Sequence, residues 1–132
     1  MKKALITALT CGMVIASAGA ATAAPRPDRS VADCTVGAAP NLTYTNYEAR
    51  AGFNVFCSSA HWIVAEIEVY DAPGNPLGRQ NAGSTKLNGD GQWHYLTSLF
   101  NWGHWKPVAH ACLWIYQDNS VAGPLLYSGC TL

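Results

Sequence analysis

Residues 61–71 read HWIVAEIEVYD, and this stretch decides the fold class. Its apolar side chains recur at every second position and so share one face, namely Ile63, Ala65, Ile67 and Val69. The opposite face carries two carboxylates, Glu66 and Glu68. This alternation is typical of a β-strand that is buried on one side, because successive side chains of a strand point to opposite faces.

Turn-forming residues divide the rest of the chain into short segments. The strongest hairpin signal is Asn88-Gly89-Asp90-Gly91, because Asn and Gly tolerate positive φ angles. Pro73-Gly74-Asn75-Pro76 predicts a second turn, and Ala51-Gly52 predicts a third. Between these breaks we predict about seven strands, at residues 41–48, 53–59, 61–71, 77–87, 92–101, 107–117 and 124–131.

No segment after the first two dozen residues has a helical period, so the sequence predicts an all-β fold. Antiparallel strands of this number and length commonly pack as two sheets. We therefore expect a two-sheet antiparallel sandwich that resembles immunoglobulin-like domains in its architecture and is preceded by a signal helix.

The first 23 residues have the three parts of a secretory signal peptide. Lys2 and Lys3 form the positive start, residues 4–20 form an apolar run without a charge, and Ala21-Thr22-Ala23 forms a cleavage site of the small-x-small type. A membrane anchor is the alternative. The run is rich in Ala and Gly, however, and does not exceed the roughly 20 strongly apolar residues that a spanning helix needs.

Cleavage after Ala23 leaves a flexible segment at residues 24–33 and a single domain at residues 34–132. The remaining chain has six basic and eight acidic residues, a net charge of −2, and these charges are scattered. Because no basic stripe is present to neutralise phosphates, we expect no nucleic-acid partner and, after signal cleavage, no membrane contact. We expect a secreted, extracellular monomer.

Four cysteines remain after the signal peptide, Cys34, Cys57, Cys112 and Cys130. An even set in an exported domain predicts two disulfides. If a loop at Asp118–Pro124 closes the last hairpin, Cys112 lies directly opposite Cys130, which leaves Cys34 to pair with Cys57. The nested alternative, Cys34–Cys130 with Cys57–Cys112, would join the two sheets and stays open at this stage.

Aromatic and histidine residues are concentrated between positions 93 and 105. We take five of them as candidate binding residues, namely Trp93, Tyr95, Trp102, His104 and Trp105. The run 101–105 precedes Lys106-Pro107 and is predicted to be an exposed loop. In such a loop, Trp102 and Trp105 would stack on sugar rings or enter a pocket of a protein partner. The alternative is that one or both turn inward and cap the open end of the sandwich.

Catalytic and metal-binding patterns are weak throughout the chain. His61, His94, His104 and His110 lack the spacing of metal ligands. Glu66 and Glu68 lie on one strand face and cannot flank a substrate from opposite sides. No Gly-x-Ser-x-Gly motif is present. We therefore predict no catalytic residues, no metal site and no cofactor.

These observations favour a small secreted binding protein that recognises an extracellular protein, for example a hydrolase to be inhibited, or a glycan. Trp93-His94-Tyr95 is similar to the Trp-Arg-Tyr of proteinaceous amylase inhibitors, with His in place of Arg and a different surrounding spacing. The alternatives are a structural, envelope-associated secreted protein without a small ligand, or a small hydrolase.

Overall fold

The computed structural model describes residues 31–132, so the predicted signal peptide lies outside the described residues. This part of the chain is all-β and contains no helix, and hence none long and apolar enough to cross a membrane. The eight strands are β1 (Cys34–Val36), β2 (Asn41–Tyr44), β3 (Glu48–Cys57), β4 (His61–Tyr70), β5 (Pro76–Leu87), β6 (Trp93–Asn101), β7 (His110–Gln117) and β8 (Leu125–Cys130).

The strands form two antiparallel sheets of four strands each. In sheet A, β6 pairs with β3 along nearly its whole length, from Glu48 opposite Asn101 to Phe56 opposite Trp93. β1 and β2 share the other edge of β3, each pairing with a different part of it. Sheet B has the order β5-β4-β7-β8. The two-sheet antiparallel prediction is confirmed.

The core lies between the sheets and consists of alternate residues of the central strands. The face of β4 predicted from the alternation is buried, with Ile63, Ala65, Ile67 and Val69 each at most 2% exposed. It packs in one cluster with alternate residues of β3 and β7, namely Ala49, Ala51, Phe53, Val55, Ala111, Leu113 and Ile115. Burial of this apolar surface is the main source of stability for a domain of this size.

The N-terminal half of sheet A differs from the sequence prediction. The strand predicted at 41–48 ends at Tyr44, and β3 begins only at Glu48. Thr45 Oγ1 accepts hydrogen bonds from the backbone N–H groups of Tyr47 (3.1 Å) and Glu48 (3.2 Å) and so forms a tight turn between the two strands. The turn predicted at Ala51-Gly52 is wrong, since both residues lie inside β3. Gly52 is required there because a Cβ atom at this position would collide with the phenol ring of Tyr95.

The strand count is eight rather than seven, because β1 was not predicted. With three residues, β1 is too short to show a period in the sequence. It is held by its pairing with β3, where Cys34 lies opposite Cys57, and by a hydrogen bond from the N–H of Gly37 to the carbonyl oxygen of Asn54 (2.8 Å).

The disulfides are Cys34–Cys57 and Cys112–Cys130, which is the sequential pairing. Each joins residues directly opposite each other on neighbouring strands, as the hairpin register predicted for Cys112 and Cys130. Neither disulfide crosses between the sheets, so the nested alternative is not formed. Two disulfides are typical of proteins that fold in an oxidising, extracellular environment.

Polar contacts connect the two sheets at the ends of the sandwich. The buried side chain of Gln117, at the end of β7, accepts hydrogen bonds at Oε1 from the backbone N–H groups of Asp33 (2.9 Å) and Cys34 (3.1 Å). Near the start of β7, Tyr44 Oη donates to the carbonyl oxygen of Ala109 (2.5 Å). These bonds and the apolar core hold the sheets together without a covalent link.

Candidate functional site

The outer face of sheet A presents the exposed aromatic residues of β6. Alternation along this strand points Trp93, Tyr95 and Leu99 outward, where they are 56%, 63% and 44% exposed. The residues between them face inward, and Phe100 is buried. The side chains of Trp93 and Tyr95 are therefore neighbours on one solvent-facing surface.

Tyr95 lies across the sheet rather than standing away from it. A Cβ atom at Gly52, on the neighbouring strand, would collide with Tyr95 Oη and lie 2.9 Å from its Cζ atom. The end of the phenol ring thus occupies the space above the glycine backbone. Only glycine at position 52 permits this arrangement, which leaves one side of the ring open to solvent.

Trp93 also leans across β3. Its Cζ3 atom would lie 3.3 Å from a Cβ atom at Gly37, which follows β1 on the far side of β3. On the way it contacts Phe56, with ring centroids 5.8 Å apart and planes tilted by 47°. Trp93 and Tyr95 together cover part of the outer face, and we call Trp93, Tyr95 and Leu99 the aromatic face.

A groove of about 590 Å³ lies beside Tyr95, and its lining also includes Ala82 of β5 in the other sheet. Its lining includes the polar side chains Asn41, Thr43, Arg50 and Thr97 together with Gly52 and Leu99. Arg50 Nε donates to Glu48 Oε1 at 2.6 Å. This hydrogen bond raises the pKa of Arg50 and lowers the pKa of Glu48, so both groups are ionised at neutral pH and neutralise each other.

The two tryptophans of the loop 101–105 have different environments. Trp102 is half-buried, its Nε1 atom donates to the carbonyl oxygen of Asn46 (2.9 Å), and its ring meets Phe100 edge-on at 5.1 Å. Trp102 therefore caps the core, as the alternative interpretation of the sequence proposed. Trp105 is 59% exposed, and His104 is also exposed, as expected for a loop.

Trp105 lies next to the turn between β2 and β3. With the side-chain amide nitrogen of Asn46 turned toward the carbonyl oxygen of Lys106 (2.9 Å), the amide oxygen accepts from Trp105 Nε1 (3.3 Å). Tyr47, in the same turn, is 52% exposed. The exposed aromatic residues of sheet A thus form two groups, one on the aromatic face and one at the end of the sandwich.

A cluster around His61 was not predicted from the sequence. His61 Nε2 lies 3.0 Å from Asp33 Oδ2, and His61 Nδ1 lies 3.0 Å from both carboxylate oxygens of Asp118. Burial alone would lower the pKa of His61, but the hydrogen bonds and charges of the two carboxylates outweigh it and raise the pKa. Both ring nitrogens face acceptors, so this geometry is that of the imidazolium cation.

Ser59 gives the cluster the outline of a serine hydrolase triad. Its Oγ lies 2.9 Å from His61 Nε2, and Asp118 orients the other ring nitrogen. Asp33 Oδ2, however, lies within 3.0 Å of both Ser59 Oγ and His61 Nε2. In its cationic form, His61 donates at Nε2 and has no lone pair with which to take a proton from Ser59. We call Asp33, Ser59, His61 and Asp118 the ionic latch, because they join the segment before β1, the connection between β3 and β4, and the residue after β7.

The outer face of sheet B carries a network of paired charges. Arg79 Nε donates to Glu66 Oε2 (2.9 Å), Arg79 Nη1 lies 3.5 Å from Glu68 Oε2, and the guanidinium lies 4.5 Å above the ring of Trp114. Burial would raise the pKa of Glu66, but Arg79 and Ser120 outweigh this effect and lower it. A general acid in glycoside hydrolysis needs the opposite shift. We call this group the charged face.

Metal ligands do not gather in the described part of the chain. Within residues 31–132, no three His, Cys, Asp or Glu side chains are grouped so as to hold a metal ion. In the His61 cluster the two carboxylates lie on opposite ring nitrogens, so they cannot share one ion with the histidine.

No protein-family model and no curated protein matches this chain. Among solved structures, its fold is similar to part of a β-glucosidase from Kluyveromyces marxianus, with 8% identity, a TM-score of 0.51 and coverage of 74% of this chain. It is also similar to part of a GH3 β-glucosidase from Bifidobacterium adolescentis, with 11% identity, a TM-score of 0.50 and the same coverage. The chain spans only 14% and 16% of those enzymes, so the likeness concerns a β-sandwich-like domain and not the whole enzyme.

Proposed function

We propose that this protein is a secreted binding module, without catalytic activity, that recognises a neutral glycan through the outer face of sheet A. The observation that carries the proposal is the pair of exposed rings, Trp93 and Tyr95, held against the sheet by Gly37 and Gly52. Aromatic rings with one open side stack on the apolar side of a sugar ring.

The chemistry of the groove favours a neutral ligand. Asn41, Thr43 and Thr97 supply amide and hydroxyl groups that match sugar hydroxyls as donors and acceptors. The charged side chain in the lining, Arg50, is already paired with Glu48. A charged partner would have to compete with this ion pair, whereas a neutral sugar would not.

The proposed function also includes secretion and an immunoglobulin-like sandwich. A cleaved signal peptide at residues 1–23 would deliver the chain to the environment in which Cys34–Cys57 and Cys112–Cys130 are stable. We propose an immunoglobulin-like sandwich as the frame, with one outer face used for binding. The glycosidase likeness supports the frame alone.

A protein partner is the second candidate. Leu99 is 44% exposed beside Tyr95 and would add apolar contact area to a flat interface. The similarity of Trp93-His94-Tyr95 to the amylase-inhibitor motif supports a protein partner only weakly. The three residues are consecutive in β6, so His94 faces the opposite side of the sheet from Trp93 and Tyr95. His94 is turned away from both aromatic rings, and its Nε2 lies 2.9 Å from Asp90 Oδ1.

A binding panel tests the function. The purified mature protein is mixed with cellulose, chitin and xylan, and the bound fraction and any released reducing ends are measured. We expect retention on at least one polymer without hydrolysis, and a loss of about thirtyfold in affinity, or about 2 kcal/mol, for Trp93→Ala or Tyr95→Ala.

The matched control is Trp62→Ala. Trp62 is 47% exposed on the opposite sheet, so its removal takes away a similar ring without touching the proposed site. Equal loss in the control variant, or no retention on any polymer, would overturn the proposal. Release of reducing ends would favour the hydrolase alternative.

A further inference from the structure

We propose that the ligand is a long polysaccharide chain that contacts two separate aromatic subsites. The first subsite is Trp93 with Tyr95, and the second is Tyr47 with Trp105. This inference rests on the function proposed above and adds to it the size of the ligand and a second contact point.

The two subsites lie at opposite ends of the same pair of strands. Trp93 stands at the start of β6, opposite Phe56, while Asn101 ends β6 opposite Glu48. Eight residue steps at about 3.4 Å each separate these ends by about 27 Å. Tyr47 directly precedes Glu48, and Trp105 lies beside the same turn.

The second subsite is held by backbone hydrogen bonds. The carbonyl oxygen of Tyr47 accepts from the N–H of Trp102 (3.1 Å), and that of Asn46 accepts from the N–H of Lys106 (2.9 Å). The half-buried ring of Trp102 fixes the same loop from below. Trp105 and Tyr47 are therefore presented on ordered backbone, which reduces the entropy lost when a ligand binds.

The surface between the subsites suits an uncharged polymer. Thr97, Leu99 and the groove beside Tyr95 occupy the middle of the strand pair, and the ion pair of Arg50 with Glu48 is internally neutral. A mono- or disaccharide reaches one subsite at a time. A chain that reaches both gains from the second contact, because this contact becomes intramolecular once the first has formed.

Chain length is the variable that tests the inference. Affinities of the mature protein for the disaccharides and hexasaccharides of chitin, cellulose and xylan are measured by titration calorimetry. For at least one series we expect the hexasaccharide to bind about tenfold or more tightly than the disaccharide, a difference of about 1.4 kcal/mol.

Single variants then assign the subsites. Trp105→Ala should remove the advantage of the hexasaccharide over the disaccharide, and Tyr47→Ala should have the same effect in a separate protein. Tyr95→Ala should weaken both ligands, and Trp62→Ala neither. Because Trp105 and Tyr47 are exposed, both variants are expected to fold, which their melting temperatures check.

The outcomes separate this inference from the proposed function. Equal affinity for short and long ligands, with no effect of Trp105→Ala, would refute the second subsite while the binding function stands. If no series binds, the two-subsite inference is refuted. If the panel polymers are not retained either, the proposed function fails as well.

Discussion

The outer faces of both sheets carry aromatic side chains, but the neighbours of these side chains differ between the two faces. On the charged face, Arg79 contacts Glu66, Glu68 and the ring of Trp114, so the charges and the aromatic ring satisfy one another. On the aromatic face, Trp93 and Tyr95 rest on glycines and keep one side open. An exposed aromatic residue thus indicates binding only where no neighbouring side chain already uses its surface.

In the loop 101–105, two tryptophans close together in the chain also have different surroundings. Substituting them gives the largest expected change in stability. Trp102 packs on Phe100 and caps the core, so Trp102→Ala should lower the free energy of unfolding by about 2–4 kcal/mol. Trp105→Ala should change it by less than about 0.5 kcal/mol, because Trp105 is exposed. Chemical denaturation measures both. Equal destabilisation by the two substitutions would show that Trp102 and Trp105 do not differ in how they pack against the core.

Gly52 provides the second test, on the aromatic face itself. Gly52→Ala places a methyl group where Tyr95 Oη lies, and the flexible phenol side chain should swing away from the sheet. We expect glycan affinity to fall about tenfold, or about 1.4 kcal/mol, with little change in stability. Gly52→Ala should have no further effect in a Tyr95→Ala background, since both changes act on the same ring. Additive losses would assign Gly52 a separate role.

A substitution on the charged face should lower stability without changing glycan affinity, which is the opposite of the effect expected for Gly52→Ala. Arg79→Ala leaves the partly buried carboxylate of Glu66 without its main partner, and we expect a loss of about 1 kcal/mol in the free energy of unfolding. Glycan affinity should stay unchanged. A variant that loses affinity and keeps its stability would show that sheet B also takes part in binding.

The smallest expected effect is the pH dependence of the ionic latch. Because folding raises the pKa of His61, its contribution to stability is complete below the unfolded pKa of about 6.5 and is lost as the pH rises through the folded pKa. The hydrogen bonds from His61 and Ser59 lower the pKa of Asp33. The contribution of Asp33 to stability is therefore present at neutral pH and is lost as the pH falls through its folded pKa. Denaturation at about pH 5 and about pH 8 measures the difference.

His61→Gln should make the unfolding free energy less dependent on pH in this range. His104→Gln is the matched control, because His104 is exposed and its Nδ1 faces the backbone carbonyl oxygen of Trp102 rather than a carboxylate. An unchanged pH profile in His61→Gln would show that the latch does not contribute to stability.

Sequence patterns could predict the parts of this fold that depend on local periodicity. The alternation in 61–71 located β4, and the hairpin register placed Cys112 opposite Cys130. β1 was missed because three residues carry no period. Gly52 was taken for a turn because a glycine required by a neighbouring ring looks the same in sequence as a glycine required by backbone conformation.

The candidate site was predictable in composition but not in arrangement. The sequence identified the aromatic residues of 93–105, and the strand alternation explains why Trp93 and Tyr95 share a face. It could not distinguish Trp102 from Trp105, since this depends on the packing of Trp102 against Phe100, which forms only in the folded structure. The latch was invisible because Asp33 and Asp118 are far from His61 in the chain, and only Ser59 is close to it.

The position of the two disulfides has a consequence for the covalent topology. Cys34–Cys57 closes a ring near one end of the described chain and Cys112–Cys130 closes a second ring near the other, so residues 58–111 belong to neither. A single proteolytic cut in that interval, for example in the exposed turn at residues 72–75, would leave two ring-bearing fragments held only by strand pairing and core packing. Such a nicked molecule would separate into two pieces in denaturant without any reducing agent. The two fragments made by a cut between the disulfide rings are therefore suited to use as a split protein that reassembles from its two parts.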